Sequence, residues 1–258
     1  MVFARKRFGQ HFLHDPATRQ RIVDAVGARR GDALVEIGPG RGALTRALFD
    51  AAGGLDAIEI DRDLAAALES EYAQSPTFHL HRADALRFDF GALCAARGRR
   101  LRIVGNLPYN VSTPLLFHLL ATHDAIDDMH VMLQREVIER IVAPAGGEHY
   151  GRLGVMLAPW VEAEHLFDVG PGAFQPPPRV WSAVARLRVR REPAFAVDAR
   201  YGRLVTAAFS ARRKTLRNAC RGLLGPADLE ATGIDPGIRP EMLTPAQFGQ
   251  LAQRMASS

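Results

Sequence analysis

The amino-acid sequence predicts an α/β protein, with a Rossmann-like, parallel, doubly wound sheet over residues 1–191 and a small all-helical C-terminal domain over residues 192–258. The first observation behind this prediction is that short apolar strand segments alternate with segments whose apolar residues recur at helical spacing. This pattern is typical of strands joined by crossover helices. The second observation is a change near residue 191, beyond which only helical periodicity is found.

Each element of the sheet domain is predicted from its own residues. Asp15 followed by Pro16 is a helix N-cap and first-turn pair, which predicts an opening helix that ends near Gly27. The apolar run over residues 33–37 predicts a strand, and the apolar stripe over residues 44–51 predicts the helix after it. The further predicted elements are strands over residues 55–60, 77–80, 101–104 and 129–133 and helices over residues 64–68, 113–120 and 136–140.

The boundary between the two predicted domains follows a proline-rich segment. Three consecutive prolines at 176–178 forbid a regular helix, and the residues from Val180 to about Val189 predict the last strand. Beyond Pro193 the apolar positions suit a few short helices.

The basic residues of this chain are unevenly placed, which favours a polyanionic partner. The formal net charge is +5, and 16 of the 33 basic residues fall in four short stretches, so several basic patches are expected. The four stretches are Arg5, Lys6 and Arg7; Arg97, Arg99, Arg100 and Arg102; Arg186, Arg188, Arg190 and Arg191; and Arg212, Arg213, Lys214, Arg217 and Arg221.

Two of these stretches have different interpretations. Arg186 and Arg188 alternate with apolar residues on the last predicted strand, so that a solvated edge strand explains them. The stretch 212–221 spans about three helical turns without an acid, and like charges at i,i+4 cost stability unless something neutralises them. A polyanion is the natural candidate for that neutralising group.

Several classes of site are excluded by the pattern of cysteine and histidine. Cys94 and Cys220 are far apart and form no paired motif, so neither a disulfide framework nor a structural zinc site is expected. His79 and His81 share a strand face without a third ligand, and no metal site is predicted. Because no apolar stretch of about 18 residues occurs, we expect a soluble, cytoplasmic protein.

A glycine-rich turn joins the first predicted strand to its helix, in the segment Glu36-Ile37-Gly38-Pro39-Gly40-Arg41-Gly42. Its glycines let the backbone approach a ligand, although a merely tight strand-to-helix connection would need them too. The spacing argues against NAD, because the third glycine comes two positions after the second rather than three.

Acidic residues at two further strand ends identify the kind of ligand. Glu59 lies 59 − 38 = 21 positions past the turn, where a carboxylate can bind both ribose hydroxyls of a nucleoside, with Asp61 as the alternative. Asp84 follows the third strand, within reach of an adenine amino group. Because the turn has no Walker-type Gly-Lys-Ser/Thr sequence for a triphosphate, a nucleoside with a compact positive charge fits better, and S-adenosylmethionine is such a ligand.

The tetrapeptide Asn106-Leu107-Pro108-Tyr109 follows the fourth strand and carries the predicted chemistry. An exocyclic aromatic amine is a poor nucleophile, and the amide oxygen of Asn106 and the carbonyl of Pro108 could accept its two N–H bonds. Tyr109 would stack on the adenine, and no dedicated general base is predicted. The alternative is a turn with a packed tyrosine. Phe174 is the candidate for the second face of the adenine, or else a core aromatic.

These residues resemble the ribosomal RNA adenine N6,N6-dimethyltransferase family over nearly the whole chain. The matching segments are Phe8-Gly9-Gln10-His11-Phe12-Leu13, Glu36-Ile37-Gly38-Pro39-Gly40, Glu59-Ile60-Asp61, Asp84-Ala85, Asn106-Leu107-Pro108-Tyr109, Phe174-Gln175-Pro176-Pro177-Pro178-Arg179-Val180, and Phe209 with Arg212-Arg213-Lys214-Thr215-Leu216.

The resemblance implies a class I S-adenosylmethionine-dependent methyltransferase with catalytic residues at 106–109 and Phe174. It implies cofactor binding by His11, Leu13, Gly38, Glu59, Asp84 and Asn106. The family usually has asparagine at the position of His11, so a contact there would come from the imidazole or the backbone.

The resemblance also implies a substrate, namely the N6 atoms of two adjacent adenines in a 3′-terminal hairpin of 16S rRNA within the immature small ribosomal subunit. The enzyme would act as a monomer without an obligate protein partner, and its helical domain would bind RNA or the ribosome. The alternatives are a 23S rRNA adenine N6-methyltransferase of the antibiotic-resistance type, a DNA adenine methylase and a non-catalytic small-subunit assembly factor.

Overall fold

The structure is a computed structural model that describes residues 11–210 and 213–256. The predicted basic stretch 5–7, the motif residues 8–10 and Arg212 lie outside the described residues. The strands are β1 (Phe12–Leu13), β2 (Ala33–Ile37), β3 (Leu55–Glu59), β4 (Phe78–Arg82), β5 (Leu101–Asn106), β6 (Ile126–Gln134), β7 (Val161–Val169), β8 (Phe174–Gln175) and β9 (Ser182–Val189). The helices are α1 (Pro16–Val26), α2 (Thr45–Ala52), α3 (Arg62–Glu71), α4 (Phe90–Arg97), α5 (Ser112–Ala121), α6 (Arg135–Val142), α7 (Arg152–Leu157), α8 (Ala199–Ala208), α9 (Leu216–Ala219), α10 (Pro226–Glu230) and α11 (Pro245–Arg254).

Among the described residues, seven strands form the main sheet in the order β4-β3-β2-β5-β6-β9-β7. The pairs from β4 to β6 are parallel, as predicted, and crossover helices separate these strands in the sequence. β9 runs antiparallel to β6, which the prediction of a parallel sheet did not include. The segment between β7 and β9 contains one short 3-10 turn and the two-residue β8, without a crossover helix. Parallel sheets commonly carry antiparallel strands at one end.

The register of the central strands brings their carboxyl ends to one edge of the sheet. Ile37 at the end of β2 lies beside Ile58 of β3 and beside Gly105 of β5. A Cβ on Gly105 would lie 2.8 Å from the carbonyl oxygen of Ile37, so only glycine permits this close approach. The residues that follow β2, β3 and β5 therefore meet at this edge.

Helix caps explain why the predicted helices begin and end where they do. The Asp15 carboxylate accepts a hydrogen bond from the Thr18 N–H at 2.7 Å, and α1 ends at Gly27 in the left-handed conformation. Asp61 caps α3 in the same way. The predicted opening helix is confirmed at both ends. Its two signals, the Asp15 cap and the glycine at 27, each depend only on residues close in the sequence.

The chain divides into two compact units. The first contains residues up to 138 and residues 164–189, and the second contains residues 139–163 and the residues from 190 onward. The sequence-based boundary at residue 191 differs from this grouping, because residues 139–163 belong with the helical residues. Those residues include β7's first part and α7, which the apolar pattern did not reveal.

The second unit has its own apolar core. Helix α8 contributes Leu204 and Val205, and helix α11 contributes Phe248 and Leu251, all of them fully buried. The Tyr201 hydroxyl donates to the carbonyl of Val155 at 2.7 Å, so residues from both segments of this unit are tied together. Within the described part of the chain, no helix is both long enough and apolar enough to cross a membrane.

Candidate active site

A cavity of about 440 Å³ lies in the first unit, at the edge where the parallel strands end. Ligands of open α/β sheets bind at this kind of edge, outside the carboxyl ends of the strands. Its walls include all six residues predicted to bind a cofactor, namely His11, Leu13, Gly38, Glu59, Asp84 and Asn106, together with Leu107, Pro108 and Tyr109.

The glycine-rich turn after β2 forms one wall of the cavity. Gly38 and Gly40 both have positive φ angles, +67° and +59°, which residues with a side chain rarely adopt. A Cβ on Gly40 would also lie 3.3 Å from the Phe12 ring. Because the Gly38 N–H donates to the carbonyl of Ile58 at 2.9 Å, the turn is anchored to β3. The two glycines therefore leave a backbone surface open for a ligand.

Glu59 is held at the end of β3 by backbone donors. One carboxylate oxygen accepts from the Gly40 N–H at 3.1 Å and the other from the Asp61 N–H at 2.9 Å. Burial raises the pKa of Glu59 above its usual value, while these backbone hydrogen bonds act against that increase. The carboxylate keeps further acceptor capacity toward the cavity.

Asp61, the alternative to Glu59, has a structural role in this fold. Its Oδ1 accepts from the Asp63 N–H at 3.0 Å at the start of α3, and Asp61 is absent from the cavity wall. The geometry therefore favours Glu59 as the acid that faces the ligand. The sequence could not separate them because both residues follow the same strand.

Asp84 occupies the wall that follows β4. Its Oδ1 accepts from the Leu86 N–H at 3.0 Å, which fixes the turn after the strand. Ala83, Ala85 and Leu86 line the cavity around it. A mostly apolar wall with one carboxylate can hold a purine ring and accept from its amino group.

Asn106, the last residue of β5, is oriented by the N-terminal segment. Its Nδ2 donates to the backbone carbonyl of His11 at 3.1 Å. This assignment leaves the amide oxygen as an acceptor, for which the described residues provide no partner. The Pro108 carbonyl already accepts from the Val111 N–H at 3.1 Å and keeps its second lone pair.

Tyr109 is held by contacts on its hydroxyl and on its ring. Its hydroxyl lies 2.7 Å from the hydroxyl of Ser182, and its ring stacks with the His11 imidazole at a centroid separation of 5.9 Å. The His11 Nδ1 lies 2.8 Å from the carbonyl of Pro176. The imidazole therefore contacts the proline-rich loop, and the backbone carbonyl of His11 contacts Asn106.

Phe174 lies in the core in this structure. Its side chain is 2% exposed and packs with Leu13 and Val184 in a buried apolar cluster, away from the cavity wall. The cause is the pairing of β1 with β8, which places Leu13 opposite Phe174. Phe174 is thus packed as a core aromatic in this structure, and its assignment to the second face of the adenine stays a prediction.

Glu36 is a cavity residue that sequence reasoning missed. Its carboxyl is buried at the end of β2, and one of its oxygens has no hydrogen-bond partner in the described structure. Burial, reinforced by the nearby Glu59, raises the pKa of Glu36 to about 7. The signal available in the sequence was an acid inside an otherwise apolar strand, directly before the glycine-rich turn.

The stretch from Arg186 to Arg191 differs partly from its predicted environment. The alternation is confirmed, since Leu187 and Val189 are buried. The strand lies inside the sheet rather than at its edge, and β7 is its outer neighbour. Arg186 is paired with Glu164 of β7 at 2.5 Å, so this stretch is partly neutralised by its own fold.

Similar known proteins indicate the family of this chain. A family model described as ribosomal RNA adenine dimethylase matches residues 1–257. A protein of Pseudomonas aeruginosa named "Ribosomal RNA small subunit methyltransferase A" is 51% identical over 255 residues, which are 98% of this chain and 95% of that protein. A protein of Nitrosococcus oceani with the same name is 54% identical over 244 residues, with 93% and 92% coverage.

Solved structures give the same picture of the fold. The 23S rRNA methyltransferase ErmE superposes with a TM-score of 0.73 at 28% identity, covering 95% of this chain and 99% of that one. A dimethyladenosine transferase from Plasmodium falciparum superposes with a TM-score of 0.82 at 22% identity, covering 93% and 96%.

Proposed function

This chain belongs to the ribosomal RNA adenine dimethylase family, and from that premise we propose that it transfers methyl groups from S-adenosylmethionine to the N6 atoms of two adjacent adenines in a 3′-terminal hairpin of 16S rRNA. The substrate would be the immature small ribosomal subunit, which makes the protein a factor in ribosome biogenesis. The names of the relatives at 51% and 54% identity support the choice of the small subunit.

The observation that carries this proposal is the convergence of four strand ends on one cavity. Gly38 follows β2, Glu59 ends β3, Asp84 follows β4 and Asn106 ends β5, and all four line the same cavity. A nucleoside-binding edge and a neutral amide acceptor are thereby brought to one place. This is the arrangement that methylation of an exocyclic amine requires.

The residues fit S-adenosylmethionine. At Gly38 and Gly40 the absence of a Cβ leaves space for a ligand beside the backbone. The cavity is also lined by the carboxylates of Glu59 and Asp84, which suit a cationic nucleoside. In our proposal Glu59 binds the ribose hydroxyls and Asp84 the adenine amino group, while Leu13 and the backbone of His11 close the site. When bound, the cofactor supplies an electrophilic methyl group.

The protein's own contribution to the chemistry is to prepare the amine. The amide oxygen of Asn106 and the carbonyl of Pro108 each accept one N–H of the target N6, which localises its lone pair. The same two acceptors stabilise the positive charge that develops on nitrogen. Because neither group can take up a proton, the excess proton leaves to solvent. Leu107, which is buried, holds the two acceptors in position.

The direct test replaces Asn106 with alanine. We expect methyl transfer from labelled cofactor to immature small subunits to fall by about 100- to 1000-fold, because one preorganised acceptor is removed. Binding to the particle, measured by co-sedimentation, is expected to persist. A fully active N106A variant would contradict the catalytic role, and labelling of large-subunit RNA alone would contradict the substrate.

Tyr109 offers a matched pair of variants. We propose that its ring stacks on the target adenine, so Y109A is expected to weaken engagement by about 1 to 3 kcal/mol. Y109F keeps the ring and removes only the hydroxyl that bonds to Ser182, so it should retain most of the activity. If Y109A and wild type have equal KM and kcat values for the particle, the stacking role is wrong.

A second candidate function follows from the likeness to ErmE. That protein is a 23S rRNA methyltransferase with a TM-score of 0.73 and 28% identity to this chain. Methylation of 23S rRNA would use the same cavity with another RNA. A competition assay that offers both ribosomal subunits and identifies the labelled base by digestion separates the two functions.

A further inference from the structure

One large aromatic side chain in the first unit is exposed without an assigned role. Trp181, at the end of the proline-rich loop, is 49% exposed, and its neighbour Val180 is 43% exposed. The indole N–H has no hydrogen-bond partner among the described residues. The ring lies close to Gly170, where an added Cβ would meet it at 3.6 Å, so one part of the ring is supported and the rest faces solvent.

The backbone around Trp181 is tied to the candidate active site. The next residue, Ser182, lies 2.7 Å from the Tyr109 hydroxyl through its own hydroxyl oxygen. The carbonyl of Trp181 accepts from the Arg135 N–H at 3.0 Å. The indole is therefore presented from a fixed position, one residue from a side chain that contacts Tyr109.

The charges around the indole favour a polyanion. The segment 174–181 contains no acid, and Arg179 is exposed without an ion pair to any residue in the described ranges. The Arg135 guanidinium lies 5.9 Å from the centroid of the Trp181 ring and 3.8 Å from Asp168. The Asp168 carboxylate therefore contacts both Arg135 and, at 2.8 Å, the His165 ring.

We propose that Trp181 is a stacking platform for a nucleobase of the substrate RNA that flanks the methylated adenine, with Arg179 binding a neighbouring phosphate. This inference rests on the proposed function and adds a contact outside the catalytic cavity. Aromatic side chains that hold single-stranded nucleic acid stack on bases of any sequence, and basic residues beside them bind the backbone. An exposed indole and, two residues earlier in the chain, an exposed arginine without an ion pair among the described residues have that chemistry.

The experiment measures steady-state methyl transfer to immature small subunits for W181A and W181F. Loss of one stacked base is expected to raise KM for the particle by about 5- to 150-fold in W181A, with kcat nearly unchanged, and W181F is expected to recover most of the difference. Q74A serves as the control, because Gln74 is an exposed, uncharged residue of the first unit that lies outside the cavity wall. Its KM should equal that of wild type.

Salt dependence separates stacking from charge. W181A is expected to leave the slope of log K against log salt unchanged, whereas R179Q should reduce it by about 0.7, the value for one phosphate on a single strand. A W181A variant with the KM of wild type overturns the proposal while the proposed function stands. A wild-type protein that does not methylate small subunits overturns both. Unfolding by urea should be the same for W181A and wild type, since the side chain is exposed.

Discussion

Two basic stretches, residues 97–102 and residues 213–221, each contain four described cations but lie in different environments. We call Arg97, Arg99, Arg100 and Arg102 the sheet stretch, and Arg213, Lys214, Arg217 and Arg221 the helical stretch. The sequence predicted basic patches at both places. The structure distinguishes them by the partners that each cation has.

Every cation of the sheet stretch bonds to the fold around it. Arg97 pairs with the buried Asp56 at 2.6 Å, and Arg102 pairs with Asp32 at 2.7 Å and with Asp128 at 2.9 Å. Arg99 donates to a backbone carbonyl, and Arg100 donates to three carbonyls and to an acid. Arg97 and Arg102 are thereby paired with acids of the fold, whereas Arg99 bonds only to a carbonyl, so the predicted basic patch is partly neutralised at this place.

The four cations of the helical stretch are exposed and have no ion pair among the described residues. Their backbone is not the three-turn helix that was predicted, because the described part consists of a turn at 213–214, the short α9 and a second turn. Thr215 is the N-cap of α9, and within residues 213–221 only Leu216 and Cys220 are buried. The difference shows that a basic stretch in the sequence leaves cations available to a polyanion only where the fold does not already pair them.

The largest effect on stability is expected for R102M. The side chain is 17% exposed and holds Asp32 and Asp128 together with the carbonyl of Val26. Its removal leaves two partly buried carboxylates without their partner, at a cost of about 3 kcal/mol in the free energy of unfolding by urea. R217M is the matched control and should unfold like wild type. If both variants unfold alike, the comparison fails.

Neutralising the helical stretch is expected to have the next largest effect, on RNA rather than on folding. The variant R213Q/K214Q/R217Q/R221Q should reduce the slope of log K against log salt by about 0.9 for each duplex phosphate that these cations neutralise in the wild-type protein. The urea midpoint should stay close to that of wild type, since these residues are exposed. An unchanged slope would make the helical stretch an ordinary solvated surface.

The pH dependence of stability tests the pair in the sheet stretch. Burial opposes the ionisation of Asp56, but hydrogen bonds from His81 and Arg97 lower its pKa below the usual value. The pair therefore stabilises the folded state above the unfolded pKa, about 3.9, and this contribution disappears as pH falls through the lower folded pKa. D56N should remove this pH-dependent part of the free energy of unfolding, which is about 1.4 kcal/mol for each unit of difference between the folded and unfolded pKa of Asp56. If the free energy of unfolding of D56N and of wild type falls equally as the pH is lowered, the stabilising role of the Asp56 pair is contradicted.

The smallest effect is expected for an exposed pair with the same geometry. Arg46 and Asp50 on α2 lie 2.8 Å apart at i,i+4 spacing, and their side chains are 71% and 54% exposed. R46A should move the urea midpoint less than R102M or D56N does, because solvent screens the pair. A cost near that of R102M would show that distance rather than burial decides the contribution.

Most of the candidate site could be predicted from the sequence because its residues follow strand ends. Gly38, Glu59, Asp84 and Asn106 are each adjacent to a strand whose apolar pattern is local, and parallel strands share one carboxyl edge. Residue order along the chain is then enough to place them together. Their roles toward cofactor and adenine stay predictions until the experiments above are done.

Other features depend on contacts between distant residues. The pairing of β1 with β8 joins residues 12–13 to residues 174–175 and buries Phe174, and no local pattern records it. The orientation of Asn106 depends on a carbonyl 95 positions earlier. The raised pKa of Glu36 likewise depends on burial by surrounding elements.

The sequence by itself determined most of the strands and helices through residue 142, the caps of α1 and the strand ends that carry the site, because these depend on periodicity and on neighbours within a few positions. It did not reveal β1 or α4. Only the tertiary structure decided which acids pair with which arginines, which aromatic residues are buried or exposed, and which unit residues 139–163 join. The physical reason is that burial and ion pairing depend on elements far apart in the chain, whose register no local pattern encodes.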